Sequence, residues 1–141
     1  MASVFSSIIA GDIPGRFVWT DDDVVAFLTI APVTQGHVLI VSREEIDIWQ
    51  DLEPEVFGQV TTVAQIIARA VDKVFSPARV TLMIAGTEVP HLHLHVWPAY
   101  EIADFDLTKS NPHPSAESLD EAQAKIKDAL RELGYGANVP D

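Results

Sequence analysis

Apolar and polar positions alternate with two periods along this chain, and the changes of period mark its elements. Val4 to Ala10 (VFSSIIA) can make one or two helical turns, which Gly11-Asp12-Ile13-Pro14-Gly15 stops. Arg16 to Thr20 and Val24 to Ile30 are rich in β-branched and aromatic residues and flank Asp21-Asp22-Asp23, the pattern of a β-hairpin. After a polar connection through Pro32 and Gln35-Gly36, His37 to Val41 (HVLIV) predicts a third strand, apolar enough to lie inside a sheet. The period then lengthens. Pro54 suits a first helical turn, and Val56, Val60, Val63, Ile67, Ala70 and Val74 recur at alternating steps of four and three, one buried face of a long helix that Ser76-Pro77 ends. Arg79 to Ile84 and Val89 to Trp97 return to strand, with only Ala85-Gly86-Thr87-Glu88 between them, so an antiparallel pair is expected. Ala103 to Ala116, with two prolines around His113, reads as an extended loop. Ser118 followed by Glu121 predicts a capping box at the start of a last helix, with Leu119, Ala122, Ile126, Ala129 and Leu133 on one face and Gly134 as the stop. Five strands and two main helices in this order predict an α+β fold, an antiparallel sheet with the helices on one face.

Composition narrows the class. A chain of 141 residues fits one domain, and 48% hydrophobic residues supply a core without staples. There is no cysteine, which excludes disulfides and thiolate metal sites and makes a cytoplasmic setting the natural expectation. The formal net charge of −12 repels phosphate backbones, so nucleic acid is not an expected partner, and the charge reads as solubility. Charged residues interrupt every apolar stretch well short of a membrane span, and the N-terminus lacks the basic start and long apolar run of a signal peptide.

The candidate chemistry lies in the run His91-Leu92-His93-Leu94-His95. On a strand, side chains alternate, so Val89, His91, His93, His95 and Trp97 share one face, while Pro90, Leu92, Leu94 and Val96 share the other, which belongs to the core. The plain alternative is a solvated polar face. Three histidines in register argue against it, because they repel one another when protonated and Thr or Lys would serve as well. A neutral imidazole is a nucleophile and a charged one a donor and general acid, a combination suited to phosphoryl or nucleotidyl transfer. Two histidines two residues apart can also reach one zinc ion, with His37 or Glu88 as a third ligand. Spacing alone leaves both readings open.

The segment His91-Leu92-His93-Leu94-His95-Val96-Trp97 resembles the signature of the histidine triad (HIT) family at every position. Four other segments are similar to family motifs: Ile8-Ile9-Ala10-Gly11-Asp12-Ile13-Pro14, Asp22-Asp23-Val24-Val25-Ala26-Phe27, Pro32-Val33-Thr34-Gln35-Gly36-His37 and Glu88-Val89-Pro90. The resemblance spans about residues 4–100 and implies a HIT domain over 1–100, with residues 101–141 a C-terminal loop and helix packed on the same domain. It implies a homodimer, nucleotide binding, and attack at an α-phosphorus without a metal or other cofactor. Carried over, His93 is the nucleophile, with a backbone carbonyl on its other ring nitrogen. His95 contacts phosphate and the leaving-group side, and His91 and His37 orient and polarise the row. Ile8, Ile13, Phe27 and Ile30 would wall a base cleft. Phosphoramidates, aminoacyl-adenylates and dinucleoside polyphosphates are the implied substrate classes, the alternative being a nucleotide-binding module with little turnover.

Three departures from the family carry meaning. Many members bear Cys-x-x-Cys near the start and a His after the third strand, forming a structural zinc site; Ser3, Ser6 and Glu45 stand at those places, so no structural zinc is expected. Thr29 occupies the place of an Asp that binds ribose hydroxyls, and one hydroxyl cannot accept two hydrogen bonds as a carboxylate does. The loop before the triad lacks the usual Asn and has Thr87 where Gln is common, beside Glu88.

Overall fold

A computed structural model describes residues 2–141. Five strands form one antiparallel sheet: β1 (Phe17–Thr20), β2 (Val24–Leu28), β3 (Val38–Ser42), β4 (Arg79–Met83) and β5 (His93–Ala99), in the spatial order β1-β2-β3-β5-β4. Three α-helices accompany it: α1 (Val4–Ala10), α2 (Pro54–Phe75) and α3 (Ala116–Glu132). The α+β fold is as the sequence predicts. Among the described residues, no helix is long and apolar enough to cross a membrane.

The strand register sorts the sheet into two faces. Ala26 lies opposite Ile40, and Ile40 opposite Leu94. These residues join Leu92 and Val96 in the main core, where Val60, Val63, Ile67 and Ala70 of α2 and Leu119, Ala122, Ile126 and Leu130 of α3 cover them. Burial of each Val, Leu or Ile side chain among them stabilises the fold by roughly 1.5–3 kcal/mol. The other face is smaller. Val25, Phe27, Leu39 and Val41 form a second cluster with Phe5 of α1. Thus α2 and α3 share one face as expected, whereas α1 takes the opposite face.

Three boundaries differ from the sequence reading. Val89 to Leu92 do not extend β5. Pro90 has no N–H to give to a ladder, His91 N–H turns back to the Val89 carbonyl (2.8 Å), and Leu92 N–H donates to Ile46 (2.6 Å) rather than to β4. Helix α3 starts one turn before Ser118. Ser115 is its N-cap, accepting from Ser118 N–H at 3.0 Å, and Glu121 bonds Lys125 instead of closing a capping box. At the other end Leu130, not Leu133, enters the core. The loop after β5 also contains two short 3-10 turns, Ile102–Asp104 and Leu107–Lys109.

Candidate active site

The register places His93 opposite Val41 and His95 opposite Leu39, so both imidazoles stand on the smaller face. His37 enters that face from the turn before β3. Gly36 makes the turn possible: its φ of +99° is one L side chains rarely adopt, and the Phe75 ring abuts the place where a Cβ would stand. The row is not solvated. His91 is 0%, His37 2%, His93 6% and His95 9% exposed; Phe5 of α1 lies against His91 and His93, and Trp97 packs beside His37 and His95. Phe5 packs edge-on to His93 with centroids 4.8 Å apart, and Trp97 closes the far end beside His37 at 4.9 Å.

Hydrogen-bond partners then fix which nitrogen of each ring carries the proton. Val33 N–H donates to His37 Nδ1 (3.0 Å), which leaves the proton on His37 Nε2. That Nε2–H lies 2.9 Å from His95 Nδ1 and donates to it, so neutral His95 carries its own proton on Nε2. His93 Nδ1–H donates to the His91 carbonyl at 2.7 Å. Neutral His93 therefore has a bare lone pair on Nε2. His91 Nε2–H donates to the Ser42 carbonyl at 2.6 Å. With ring centroids 5.0 Å apart, His93 and His95 form an acceptor and a donor side by side.

Burial favours the neutral form of His37, His95 and His93. Desolvation, with smaller repulsions from His95 and His93, lowers the His37 pKa to about 3. Desolvation and His93 lower that of His95 to about 4. His93 is also lowered, chiefly by desolvation, against an opposing push from its bond to His91. The sequence suggested a charged ring as donor. The structure supplies a neutral donor instead, set by tautomer.

This arrangement invites comparison with known proteins. The sequence model of the HIT domain matches residues 10–102. The chain belongs to the HIT domain family. It is 36% identical over 106 residues to Protein hit of Bacillus subtilis, covering 72% of this chain and 73% of that protein. It is 32% identical over 85 residues to the asymmetrical bis(5'-nucleosyl)-tetraphosphatase of Schizosaccharomyces pombe, covering 57% of this chain and 46% of that enzyme. A zinc-bound histidine triad family protein from Mycobacterium smegmatis superposes with a TM-score of 0.81 at 27% identity, covering 96% of this chain and 98% of that one. Membership in the HIT family supports nucleotide binding and hydrolase or transferase chemistry as a class.

The other positions singled out in the sequence fall into three groups. Ile8 and Phe27 come together at the second cluster, whereas Ile13 (39%) and Ile30 (75%) stay exposed and outside it. Thr29 is half-buried and its hydroxyl oxygen already accepts from Ala31 N–H at 3.1 Å. Thr87 and Glu88 are exposed on the loop, and the Glu88 carboxylate is near enough to raise the His93 pKa slightly against the larger effect of burial. Outside those three groups, Trp19 is buried as packing, and Trp49 is half-exposed and stacks on Phe57. Sequence reasoning missed Phe5 and the Ser42 carbonyl. Neither carries a local signal, since each reaches the row only through the tertiary fold.

Ser3, Ser6 and Glu45, the residues at the family's zinc positions, do converge on His91. Ser3 Oγ lies 2.6 Å from His91 Nδ1, and Glu45 Oε1 accepts from Ser3 N–H at 2.6 Å and Ser6 Oγ–H at 2.7 Å. They do not fit zinc. Ser3 Oγ stands 2.6 Å from His91 Nδ1 and Ser6 Oγ 2.7 Å from Glu45 Oε1, closer than the about 3.3–3.8 Å between tetrahedral ligands about 2.0–2.3 Å from one ion, while Ser6 Oγ lies 3.4 Å from Ser3 Oγ and 3.5 Å from His91 Nδ1. Two of the donors are neutral hydroxyls. Among the described residues, no group of three or more His, Cys, Asp or Glu is placed to hold an ion.

Proposed function

We propose that this protein is a nucleotide hydrolase or nucleotidyl transferase that attacks an α-phosphorus through His93. The observation that carries the reading is the bare Nε2 of His93, created by its Nδ1–H bond to the His91 carbonyl, beside the Nε2–H of His95. The His93 lone pair forms the N–P bond, and the bond from phosphorus to the leaving group breaks with its electron pair going to the leaving group. His93 becomes a cationic nucleotidyl-imidazolium whose charge the His91 carbonyl stabilises. His95 Nε2–H hydrogen-bonds the phosphoryl oxygen and the leaving-group atom as negative charge grows there; an oxygen leaving group departs as its anion, whereas an amine takes up a proton from solvent as the P–N bond breaks, balanced by the proton later released from the attacking water. Water then attacks phosphorus, the N–P electrons return to Nε2, and the nucleoside monophosphate leaves with the water's proton released to solvent. His37 holds His95 in the donor tautomer, and His91 orients His93.

The substrate classes are phosphoramidates, aminoacyl-adenylates and dinucleoside polyphosphates, and the tetraphosphatase among the relatives is consistent with the last. Ile8 and Phe27 offer an apolar wall for a base. Rapid quenching of an adenosine phosphoramidate reaction followed by mass mapping is expected to find adenylyl-His93. His93→Ala should lose turnover by more than about 1,000-fold while nucleoside monophosphate binding persists. Wild-type rates in that variant would sink the assignment. One observation favours the second reading, a binding module with little turnover. The Thr29 hydroxyl oxygen is already engaged by Ala31 N–H, so ribose is held less firmly. Calorimetric binding without product would select it.

We also propose a homodimer through α2 and β4. β4 is an edge strand with Leu82 60% exposed, and a groove of about 440 Å³ lined by Thr61, Gln65 and Leu82 runs between it and α2. Light scattering should give twice the chain mass; a monomer at all concentrations overturns this.

A further inference from the structure

We propose that Glu45, Ser6, Ser3 and His91 form a metal-free clasp that fastens the N-terminal helix across the histidine strand and so positions His93. The part concerning His93 rests on the nucleophile reading above; the clasp itself does not.

The bonds run in one direction. Glu45 Oε1, on the loop after β3, accepts from the Ser3 N–H and the Ser6 hydroxyl, and these two bonds hold its carboxyl below the usual range. Ser3 is the N-cap of α1: its Oγ accepts from Ser6 N–H at 3.0 Å, and its own proton goes to His91 Nδ1 at 2.6 Å in preference to the longer 3.4 Å contact with Ser6 Oγ. The His91 ring is then held at both nitrogens, by the Ser3 hydroxyl on one side and the Ser42 carbonyl on the other, in a fully buried position. Residues 89–92 are not pinned by β4, so these side-chain bonds and the Leu92 bond to Ile46 are what locate the His91 carbonyl. That carbonyl receives His93 Nδ1–H. The same helix lays Phe5 against the His93 ring. A carboxylate and two hydroxyls thereby hold together the segment where the sequence resemblance pointed to a zinc site, and Ser3, Ser6 and Glu45 act as positioning residues.

Nitrogen-15 NMR of the native protein tests the clasp without reference to activity. His91 is expected to show an unprotonated, hydrogen-bonded Nδ1 and a protonated Nε2 at neutral pH. A protonated Nδ1, or stoichiometric zinc in protein purified without chelator, overturns the proposal. Glu45→Ala should lower kcat by about tenfold with KM within about twofold, and should disturb the His91 resonances. Glu45→Gln keeps the accepting oxygen and should recover most of both. Unchanged kcat and unchanged His91 resonances in Glu45→Ala also overturn it. The triple variant Ser3→Cys, Ser6→Cys, Glu45→His should gain one tightly bound zinc per chain, and failure to do so denies the convergence. If no substrate is ever turned over, the nucleophile reading fails while the resonance and zinc measurements still decide the clasp.

Discussion

The two faces of the sheet are built by different forces. Beneath α2 and α3, Ile40, Leu94 and Ile67 are 0–1% exposed and make no polar contacts; their order is packing. On the opposite face, four imidazoles are almost as buried, yet each ring nitrogen that finds a protein partner is tied to a defined donor or acceptor. A burial that would be costly for unpartnered rings becomes a means of choosing tautomers. The first face supplies stability and tolerates a change of shape at a cost. The second tolerates no change of hydrogen-bond direction, because the bare Nε2 of His93 depends on it.

The sharpest way to separate the faces is one truncation on each. Ile67→Ala removes a side chain with 0% exposure at the centre of the core and should cost about 2–5 kcal/mol in urea unfolding, leaving kcat near wild type in the folded fraction. His93→Ala should reverse that pattern, with the large loss of turnover described above and a smaller loss of stability than Ile67→Ala. If both variants lose stability and activity in proportion, the two faces do not divide labour as argued.

How much of this division was legible in the sequence follows the same line. The apolar face was readable because its order is periodic: the four-and-three steps of Val60, Val63, Ile67 and Ala70 name the buried stripe of α2 directly. The histidine row was readable as one face of a strand, although His91 proves to precede the strand, in a segment held by Ile46 and Val89. What covers the row was not readable. Ser3 and His91 are separated by 88 residues, and no local pattern shows that α1 folds back over β5. The chain from Val33 N–H through His37 to His95 was likewise hidden, because it rests on the Gly36 turn bringing His37 into line with a strand 58 residues away.

Acid should affect the histidine face first. His37 and His95 have folded pKa values of about 3 and about 4, against 6.5 when unfolded, so the unfolded chain takes up protons sooner. Stability is therefore full above about pH 6.5 and falls as pH drops toward 4, by roughly 2 kcal/mol per group at about pH 5. Denaturant midpoints in wild type and His37→Gln should differ in their slope over that interval, with the variant flatter. On descent through pH 6.5, the ordinary imidazole value, kcat/KM should show no inflection, because burial holds the His93 pKa below that value and keeps its lone pair available. An inflection near pH 6.5 would contradict the neutral, desolvated row.

The smallest expected effect probes the rim of the histidine face, where the family pattern is altered. Thr29 follows β2 and offers a single hydroxyl whose oxygen already accepts the Ala31 N–H. Thr29→Asp would keep that acceptor, since a carboxylate can hold the Ala31 N–H and still receive bonds from two ribose hydroxyls. Each added bond to a charged acceptor contributes on the order of 1–2 kcal/mol before the cost of desolvating the carboxylate. The net expectation is about a tenfold lower Kd for adenosine monophosphate by calorimetry, with none of the gain for the 2',3'-dideoxy analogue and kcat unchanged. An equal gain for the dideoxy nucleotide would show that Asp acts through charge or folding rather than ribose. The rim of the histidine face would then not be where this chain reads its nucleotide.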